Sequence, residues 1–322
     1  MPVHMKNVLI LGGTGFVGRH LCEKLHRQGW RITVPTRRLA NAAAVQHLPR
    51  VTVVQADVHD PAQLSSLVKG HDAVVNLVAI LHGDEAAFER AHVNLPRTLA
   101  HACLDSGVRR LLHISALGAS IDGPSRYLRS KARGEEVLRG NGLDLTILRP
   151  SVIFGAGDRF LNLFAKLQAS APLVPLAGAH AKFQPVWVED VAQAVVNSLL
   201  DARRPDQGQV FDCVGPTVYT LADLVRLAGR LSGHPRPVLP LPVALGYLMA
   251  WLMELGPGEP MMSRDNLASM SVDNVASGQW PGLQALGIRP AELASVAPDY
   301  LGERGPRSHL LRHRSMRRPS KK

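Results

Sequence analysis

The stretch Leu11-Gly12-Gly13-Thr14-Gly15-Phe16-Val17-Gly18 follows a short apolar run and precedes an amphipathic segment. Glycines at this spacing, between a strand and a helix, favour a dinucleotide-binding turn. Gly12 permits the tight turn, Gly15 lets backbone amides approach a pyrophosphate, and Gly18 lets the helix pack closely on the sheet. The helix N-terminus adds unpaired N–H groups and a partial positive charge. The predicted cofactor contacts here are Gly12, Gly15, Phe16, Val17 and Gly18.

Short runs rich in leucine and β-branched residues alternate with longer helical patterns around this turn. Continuous apolar strands separated by helices indicate a parallel sheet covered on both faces, because each crossover helix packs back onto the sheet. The predicted fold class is α/β, a doubly wound parallel sheet (Rossmann) with a small discontinuous C-terminal lobe. The predicted strands are Asn7–Leu11, Arg31–Val34, Val51–Gln55, Ala73–Leu77, Arg110–Ser115 and Asp144–Leu148.

This alternation loosens after Arg149-Pro150, where proline and glycine become frequent. We expect a dinucleotide-binding domain at 1–154 and a mixed region at 155–303, whose small lobe is interrupted by returns to the sheet at about 186–233. Within those returns, Val186–Leu200 predicts a strand end followed by a helix, and Gln209–Cys213 predicts a strand. Residues 304–322 are expected to form a basic disordered tail.

The net charge of +11 is concentrated at the C-terminus. Eight arginines and lysines between Arg304 and Lys322 meet no acid there, which leaves +3 for the remaining chain. The nearly balanced body argues against a nucleic-acid binder, although anionic lipid or RNA remain alternatives to a merely solvated tail. Three widely spaced cysteines and fourteen scattered histidines show no metal-ligand spacing, so we predict no metal site and a reducing compartment.

The N-terminus shows no signal-peptide pattern, so the expected location is cytoplasmic. The apolar stretch Pro242–Leu255 has fourteen residues, about 21 Å as a helix, whereas a hydrocarbon layer is about 30 Å thick. Because it is apolar on every face, we expect it to be buried in the lobe or against a partner. Tyr247 and Trp251 would also suit a headgroup boundary, so attachment to the inner face of an anionic membrane is the alternative.

Thr36-Arg37-Arg38 ends the second predicted strand, where an acid would bind a free ribose 2′-hydroxyl. No carboxylate stands there, and guanidiniums can bind a 2′-phosphate bidentately. We therefore favour NADP(H), with NAD(H) and solvated surface arginines as alternatives. Arg37 ranks before Arg38 as the predicted contact, because it is nearer the end of the strand. Strand order adds contacts at Asp57, Val58, Leu77 and Ala79, although Asp57 could instead cap a helix.

Tyr127 and Lys131 lie four residues apart, on one face of a helix that follows the Ser115-bearing fifth strand. A lysine and an oxidised nicotinamide both lower the pKa of a tyrosine. Tyr127 could then exchange a proton with a substrate oxygen while Lys131 holds the ribose. The predicted catalytic residues are Tyr127, Lys131 and Ser115.

Together, the glycine turn, Asp57-Val58, Ser115, Tyr127 and Lys131 resemble the extended and atypical short-chain dehydrogenase/reductases over nearly 300 residues. Three stretches are similar to the nucleotide-binding accessory subunit of respiratory complex I and its bacterial relatives: Tyr127 to Glu135, Arg149 to Asn162, and Gln184 to Val191. The resemblance implies tight dinucleotide binding, little turnover and a membrane-peripheral assembly. It carries cofactor contacts to Gly12, Gly15, Gly18, Arg37, Asp57, Ala79, Tyr127, Lys131 and Pro150.

Ser115 is followed by Ala116 and Leu117, whereas many active members of this superfamily have a second hydroxyl residue after the fifth strand. The sequence therefore leaves two alternatives for the function of the protein. The first is a structural or regulatory factor of a respiratory complex or a quinone-biosynthesis complex. The second is an oxidoreductase or epimerase acting on an apolar or sugar substrate. The region from Phe154 to Pro185 contains only three cations, Arg159, Lys166 and Lys182, which argues against a nucleotide sugar.

Overall fold

Seven parallel strands form the centre of the molecule in a computed structural model that describes residues 6–201, 209–256, 258 and 260–301. The predicted tail at 304–322 lies outside the described residues. In chain order the strands are β1 (Asn7–Leu11), β2 (Arg31–Thr36), β3 (Val51–Gln55), β4 (Ala73–Asn76), β5 (Arg110–Ile114), β6 (Asp144–Pro150), β7 (Ile153–Phe154), β8 (Val174–Leu176), β9 (Lys182–Phe183), β10 (Val186–Trp187), β11 (Gln209–Cys213), β12 (Tyr219–Thr220) and β13 (Val238–Pro240).

Helices connect the strands and cover both faces of the sheet. A π-helical turn, Arg90–Asn94, lies between the third and fourth helices. In chain order the helices are α1 (Phe16–Arg27), α2 (Pro61–Val68), α3 (Glu85–Glu89), α4 (Leu95–Asp105), α5 (Arg126–Leu138), α6 (Leu161–Ser170), α7 (Val188–Leu200), α8 (Leu221–Leu231), α9 (Val243–Glu254), α10 (Arg264–Ser269), α11 (Leu293–Val296) and α12 (Pro298–Leu301).

The strand order across the sheet is β3-β2-β1-β4-β5-β6-β11. This order confirms the predicted doubly wound Rossmann fold, and it reverses direction between β1 and β4. Ligands of such sheets bind outside the carboxyl ends of the strands at that switch point. The glycine turn after β1 lies at this point.

Four predicted strand ends differ from the structure. β2 continues to Thr36 and β6 to Pro150, whereas β4 ends at Asn76 and β5 at Ile114, each one residue before its predicted end. The Asn76 side chain accepts a hydrogen bond from the Val78 N–H, which turns the chain out of the sheet, although Leu77 still donates its N–H to the Leu11 carbonyl. Leu77 and Ala79 therefore follow the strand instead of closing it.

Two hydrophobic clusters lie on opposite faces of the sheet. Residues of α1 and α7 share one cluster with the strands, and residues of α2 and α4 share the other. Because both faces are covered, the central strands are largely apolar, as in Val8–Leu11, which is fully buried. β11 pairs with β6 after a long excursion, so the last part of the sheet comes from beyond residue 200.

The C-terminal lobe has its own core, built mainly from α6, α8 and β8. Three two-stranded sheets support it: β7 with β10, β9 with β12, and β8 with β13. Buried Asp158 fixes the entry to α6, because its carboxylate accepts the N–H groups of Gly155, Phe160 and Asn162. Asp158 to Asn162, the end of the family-like stretch Arg149 to Asn162, therefore has a structural explanation.

α9 lies on the surface of this lobe. Only Gly246 and Ala250 of the helix are buried, and its large apolar side chains are mostly exposed. The expectation that Pro242–Leu255 is buried within the lobe was therefore wrong, because the helix contacts the lobe through the face that carries its small residues Gly246 and Ala250. Among the described residues, no helix combines the length and apolar character needed to cross a bilayer.

Candidate functional site

The glycine turn shapes an anion-binding helix end. Gly12 has φ 79°, and a Cβ there would lie 3.1 Å from the Leu77 carbonyl carbon. A Cβ on Gly18 would lie 2.4 Å from the Gly12 oxygen, so only glycine lets α1 approach the turn. Exposed Gly15 is the N-cap of α1, without a side-chain cap or an acid in the first turn. The N–H groups in the first turn of α1 therefore receive no side-chain cap and are available to a pyrophosphate, so the turn fits a dinucleotide.

Phe16 and Val17 begin α1 beside this turn. The Phe16 ring lies under the Arg19 guanidinium, 5.3 Å from ring centroid to Cζ, and it approaches Gly155 after β7. Val17 packs against the cluster shared by α1, α7 and the sheet. Phe16 and Val17 therefore support the helix start through their side chains, and any contact to a dinucleotide would come from their backbone.

Arg37 and Arg38 follow β2 at the same edge of the sheet, and both side chains are exposed. Arg37 and Arg90 both disfavour the protonated form of His59, although burial is the main reason why the pKa of His59 is lowered. Arg90, in the π-helical turn, was missed by the sequence analysis. A positively charged corner around Arg37 and Arg90 fits a phosphate on the adenosine ribose.

Asp57 and Val58 lie past the end of β3. The Asp57 carboxylate accepts the His59 N–H, and the Asp57 N–H donates to the Gln63 side chain. Asp60, not Asp57, caps α2 by accepting the N–H groups of Ala62 and Gln63. Val58 packs against the cluster of α2 and α4. Asp57 is thus only partly engaged and keeps an oxygen for an external donor.

Tyr127 and Lys131 lie on α5, as the spacing predicts, but they do not contact each other through a hydrogen bond. The Lys131 ammonium is buried and donates to the Ile114 carbonyl at 2.8 Å. Burial lowers the pKa of Lys131 to about 8, against the opposing effect of Glu135. The half-buried Tyr127 ring packs edge-on against Phe88 and His92, and burial raises the pKa of Tyr127 to about 12.

A buried histidine that the sequence analysis missed links three elements at this site. His92 accepts the Ile80 N–H through Nε2, so its Nδ1 carries the proton and donates to Ser130 Oγ at 2.8 Å. Ser130 in turn donates to the Tyr127 carbonyl at 2.8 Å. Burial, Lys131 and His113 lower the pKa of His92 to about 2, so the ring is neutral. His92 therefore fixes the loop after β4 against the Tyr127 helix.

Ser115 and Pro150 lie at the carboxyl ends of β5 and β6. Ser115 is 3% exposed, and its Oγ has no hydrogen-bond partner among the described residues. Pro150 is buried, and its carbonyl accepts the Leu117 N–H. Ser115 thus stands beneath the site without a hydrogen bond to Tyr127 or Lys131, as expected for a hydroxyl that orients a ligand or binds a water.

The remaining motif residues hold the site together. Fully buried Glu135 accepts two hydrogen bonds from Arg149, at 2.8 and 2.6 Å, and a third from Arg139. Asp265 of α10 accepts the N–H groups of Arg126 and Tyr127, so the lobe caps the helix that carries the tyrosine. No group of three or more histidine, cysteine or acidic residues suited to a metal occurs in the part of the chain that the structure describes.

Three known proteins are similar to this chain in sequence or in fold. "NADH dehydrogenase (ubiquinone) 1 alpha subcomplex subunit 9, mitochondrial" of Mus musculus is 34% identical, over 88% of this chain and 76% of that protein. Ceramide reductase of Caulobacter vibrioides is 32% identical, over 73% of each chain. The structure of UDP-glucuronic acid 4-epimerase from Bacillus cereus, in complex with UDP-glucuronic acid and NAD, matches with a TM-score of 0.69 and 17% identity, over 92% of this chain and 98% of its own.

A family model described as NAD(P)H-binding matches residues 12–202, which include the glycine turn, Tyr127 and Lys131. The epimerase likeness is a likeness of fold, whereas the family model and the mouse subunit extend to the sequence. The chain therefore belongs to the NAD(P)H-binding short-chain dehydrogenase/reductase superfamily, within which it is related to the accessory subunit of mitochondrial complex I.

Proposed function

We propose that this protein binds NADP(H) as a structural or regulatory factor of a respiratory or quinone-related assembly, with little or no turnover. The lack of a hydrogen bond between Tyr127 and Lys131, both among the described residues, carries this proposal. A catalytic tyrosine needs a pKa near the working pH, which a neighbouring cation provides. Here the Lys131 ammonium donates to the Ile114 carbonyl, and the pKa of Tyr127 is raised to about 12. Both side chains are arranged to contact a ribose more than to move a proton.

The choice of NADP(H) over NAD(H) rests on the charges beyond β2. Arg37 and Arg38 are exposed there, and Arg90 adds a third guanidinium close to the same corner. A 2′-phosphate offers these groups a charge-assisted contact, whereas the acid near them, Asp57, follows β3 and not β2, the strand whose end carries the acid that binds a free 2′-hydroxyl. A bound nicotinamide would supply the hydride chemistry, and the residues of this chain orient it.

The relation to complex I subunits supports a respiratory complex as partner. The exposed apolar helix within Pro242–Leu255 and the basic sequence at 304–322 both suit the inner face of an anionic membrane. We expect the protein to act in the cytoplasm as a peripheral factor at that face.

Turnover is the second candidate, and one observation favours it. Ser115 Oγ is buried without a partner at the carboxyl end of β5, where it could orient a substrate oxygen. The ceramide reductase relative makes an apolar carbonyl compound a better candidate substrate than a nucleotide sugar. In this reading, Tyr127 exchanges the proton and Lys131 lowers the pKa of Tyr127 once the ligand rearranges them.

The two candidates differ in what happens to the bound dinucleotide. The protein is purified without added nucleotide, and the released nucleotide is identified by mass spectrometry before and after incubation with long-chain carbonyl compounds. Stoichiometric NADPH that is not oxidised supports the accessory role. An empty site contradicts it, and so does oxidation of NADPH that is lost in Tyr127→Phe. Tyr127→Phe keeps the ring contacts with Phe88 and His92, so it is the matched control for folding.

A further inference from the structure

The side chains of α9 are arranged in the reverse of an ordinary surface helix. Gly246 and Ala250, one turn apart, face the protein body, where they contact Ala177 and Leu267. The opposite face carries large apolar side chains spaced as i, i+3, i+4 and i+7. These residues and their exposed fractions are Leu248 (50%), Trp251 (44%), Leu252 (55%) and Leu255 (67%).

This apolar face continues around the helix. Val243 is 71% exposed and Tyr247 is 36% exposed on the flank of the same helix, and the helix has no charged residue before Glu254. Single exposed apolar residues are ordinary, but a monomer rarely exposes a contiguous apolar patch of more than a few hundred Å². A face of this kind marks a surface that another body covers.

Guanidinium groups lie near the C-terminal end of α9. Glu254, the last residue of α9, binds Arg264 of α10 at 2.8 Å. Arg264 shares a cleft of about 250 Å³ with Arg126 and Arg129 of α5. The acid in that cleft, Asp265, accepts the N–H groups of Arg126 and Tyr127 and pairs with the Arg126 guanidinium at 3.7 Å. Three guanidiniums around one carboxylate leave the cleft positively charged, which suits an anion.

Chemistry selects among the bodies that could cover the face. The sequence beyond residue 301 contains eight basic residues between Arg304 and Lys322 and few large apolar ones, so it is too polar to cover four apolar side chains. It is instead suited, like the arginine cleft, to an anionic surface. Tryptophan and tyrosine are typical of the boundary between headgroups and acyl chains.

We propose that α9 docks on an anionic phospholipid bilayer. Leu248, Trp251, Leu252 and Leu255 enter the headgroup boundary, and the cleft of Arg126, Arg129 and Arg264 faces lipid phosphates. The proposal deepens the proposed function by naming the lipid surface itself as a partner, and it rests on that function only for the biological setting. Because Asp265 joins α10 to the start of α5, the docked face adjoins the helix that carries Tyr127.

The test is sedimentation of the full chain with vesicles of phosphatidylcholine containing about one-third phosphatidylglycerol, compared with phosphatidylcholine alone. Leu252→Glu is expected to weaken binding about tenfold, and Leu248→Glu with Leu252→Glu more, because burial of one leucine changes an equilibrium constant by about ten- to a hundredfold. Leu200→Glu is the matched control, since Leu200 is 59% exposed at the end of α7, on the sheet domain. It should bind like the unchanged protein.

Three results would overturn the proposal. These are no sedimentation of the unchanged protein, equal loss in the Leu200→Glu control, and unchanged binding of the double variant, which would assign binding to the basic C-terminal sequence. Sedimentation equilibrium adds a fourth: a dimer that Leu252→Glu converts to a monomer would make the face an interface between two copies. NADPH content, measured on the same samples, tests the proposed function separately, because α9 contributes no residue to the dinucleotide site.

Discussion

Two helices of this protein, α1 and α9, use glycine for close approach but leave opposite kinds of group without a partner. In α1, Gly18 contacts the backbone of the preceding turn, the large residues Leu21 and Leu25 are buried, and N–H groups remain open at the helix start. In α9, Gly246 contacts Ala177, and the large residues face outward. The difference shows that a close glycine contact marks the side of a helix that is packed against the protein. A ligand then binds at another part of the helix: an anion at the N–H groups that begin α1, and an apolar surface on the exposed side chains of α9.

The largest expected effect breaks the α1 side of this comparison. In Gly18→Ala the new Cβ would lie 2.4 Å from the Gly12 oxygen and 2.6 Å from the Gly13 Cα. Since these are backbone atoms of the dinucleotide turn, the turn must move. We expect a loss of about 3 kcal/mol in the free energy of unfolding and NADPH binding weaker by more than about tenfold. Urea denaturation and calorimetric titration measure the two quantities.

Gly246→Ala is the control on α9. Its Cβ would lie 2.6 Å from the Ala177 Cβ, which cannot rotate away, so α9 must shift on the lobe, while alanine gains about 1 kcal/mol in helix propensity. Because overpacking costs about 1–3 kcal/mol, the expected net loss of stability is about 1–2 kcal/mol, with unchanged NADPH affinity. Equal NADPH affinity in the two variants would contradict the assignment of the turn to the dinucleotide.

The next effect sharpens the comparison by asking which anion the α1 side binds. Arg37→Asp should weaken NADPH binding by about 1–3 kcal/mol, the range for a charge-assisted contact, and barely change NADH binding. Arg50→Asp is the charge-matched control. Arg50 is exposed just before β3, at the amino-terminal end of the strands, whereas Arg37 follows the carboxyl end of β2. Equal losses for both nucleotides in Arg37→Asp would refute the contact with a 2′-phosphate.

Sequence reasoning reaches furthest where contacts are local. The glycine turn and the Tyr127–Lys131 spacing each depend on a few consecutive residues, and the strands on runs of apolar residues, so their places in the fold are readable in advance. The end of β4 is not, because it depends on the Asn76 side chain accepting the Val78 N–H. A hydrophobic run extends through Leu77 without revealing this hydrogen bond.

The missed parts of the site depend on distant residues. His92 reaches Ser130 across 38 residues, and Asp265 reaches Tyr127 across 138. Neither contact leaves a motif in the sequence, and the π-helical turn that carries His92 has no sequence signature of its own. The prediction that α9 is buried was wrong for another reason. A helix that is apolar on every face does not reveal which face is packed, so its exposure could only be learned from the structure.

A smaller effect tests the buried polar groups behind Tyr127. The pKa of His92 is lowered to about 2, and burial also lowers that of His113, so both rings are neutral in the folded protein. The unfolded chain binds these protons below about pH 6.5, so stability is full above that pH and is lost as the pH falls towards 2. Each histidine contributes up to about 1.4 kcal/mol per pH unit.

His92→Phe should therefore reduce the slope of unfolding free energy against pH by about 1 kcal/mol per unit at pH below 6. Urea denaturation at a series of pH values measures the slope, and the exposed His47→Phe is the control for loss of an imidazole. A slope that is identical in His92→Phe and the unchanged protein would show that His92 is not buried neutral. His92→Phe should also lower the stability at neutral pH, because the Ile80 N–H loses its acceptor, and this loss is a separate readout.

The smallest expected effect concerns the support of α1 by α7. Glu189 of α7 contacts His20 at 2.5 Å and Lys24 at 2.9 Å, and the His20 hydrogen bond is the main reason why the pKa of Glu189 is lowered to about 2. A lowered carboxylate pKa stabilises the fold above the unfolded value near 4.5, and this stability is lost as the pH falls towards 2. Because the side chain is 27% exposed, we discount the shift and expect Glu189→Gln to cost about 1 kcal/mol at pH 7.

This difference should shrink as the pH falls from about 4.5 to 2, since the unchanged protein then also carries a neutral side chain at position 189. Glu23→Gln is the control, because exposed Glu23 pairs with Arg27 on the surface of α1, and such pairs contribute little. A cost at pH 7 that persists unchanged in acid would mean that the shape of Glu189, and not its charge, joins α7 to α1. The joint between α7 and α1 would then depend on packing, as the contact of Gly246 of α9 with Ala177 does.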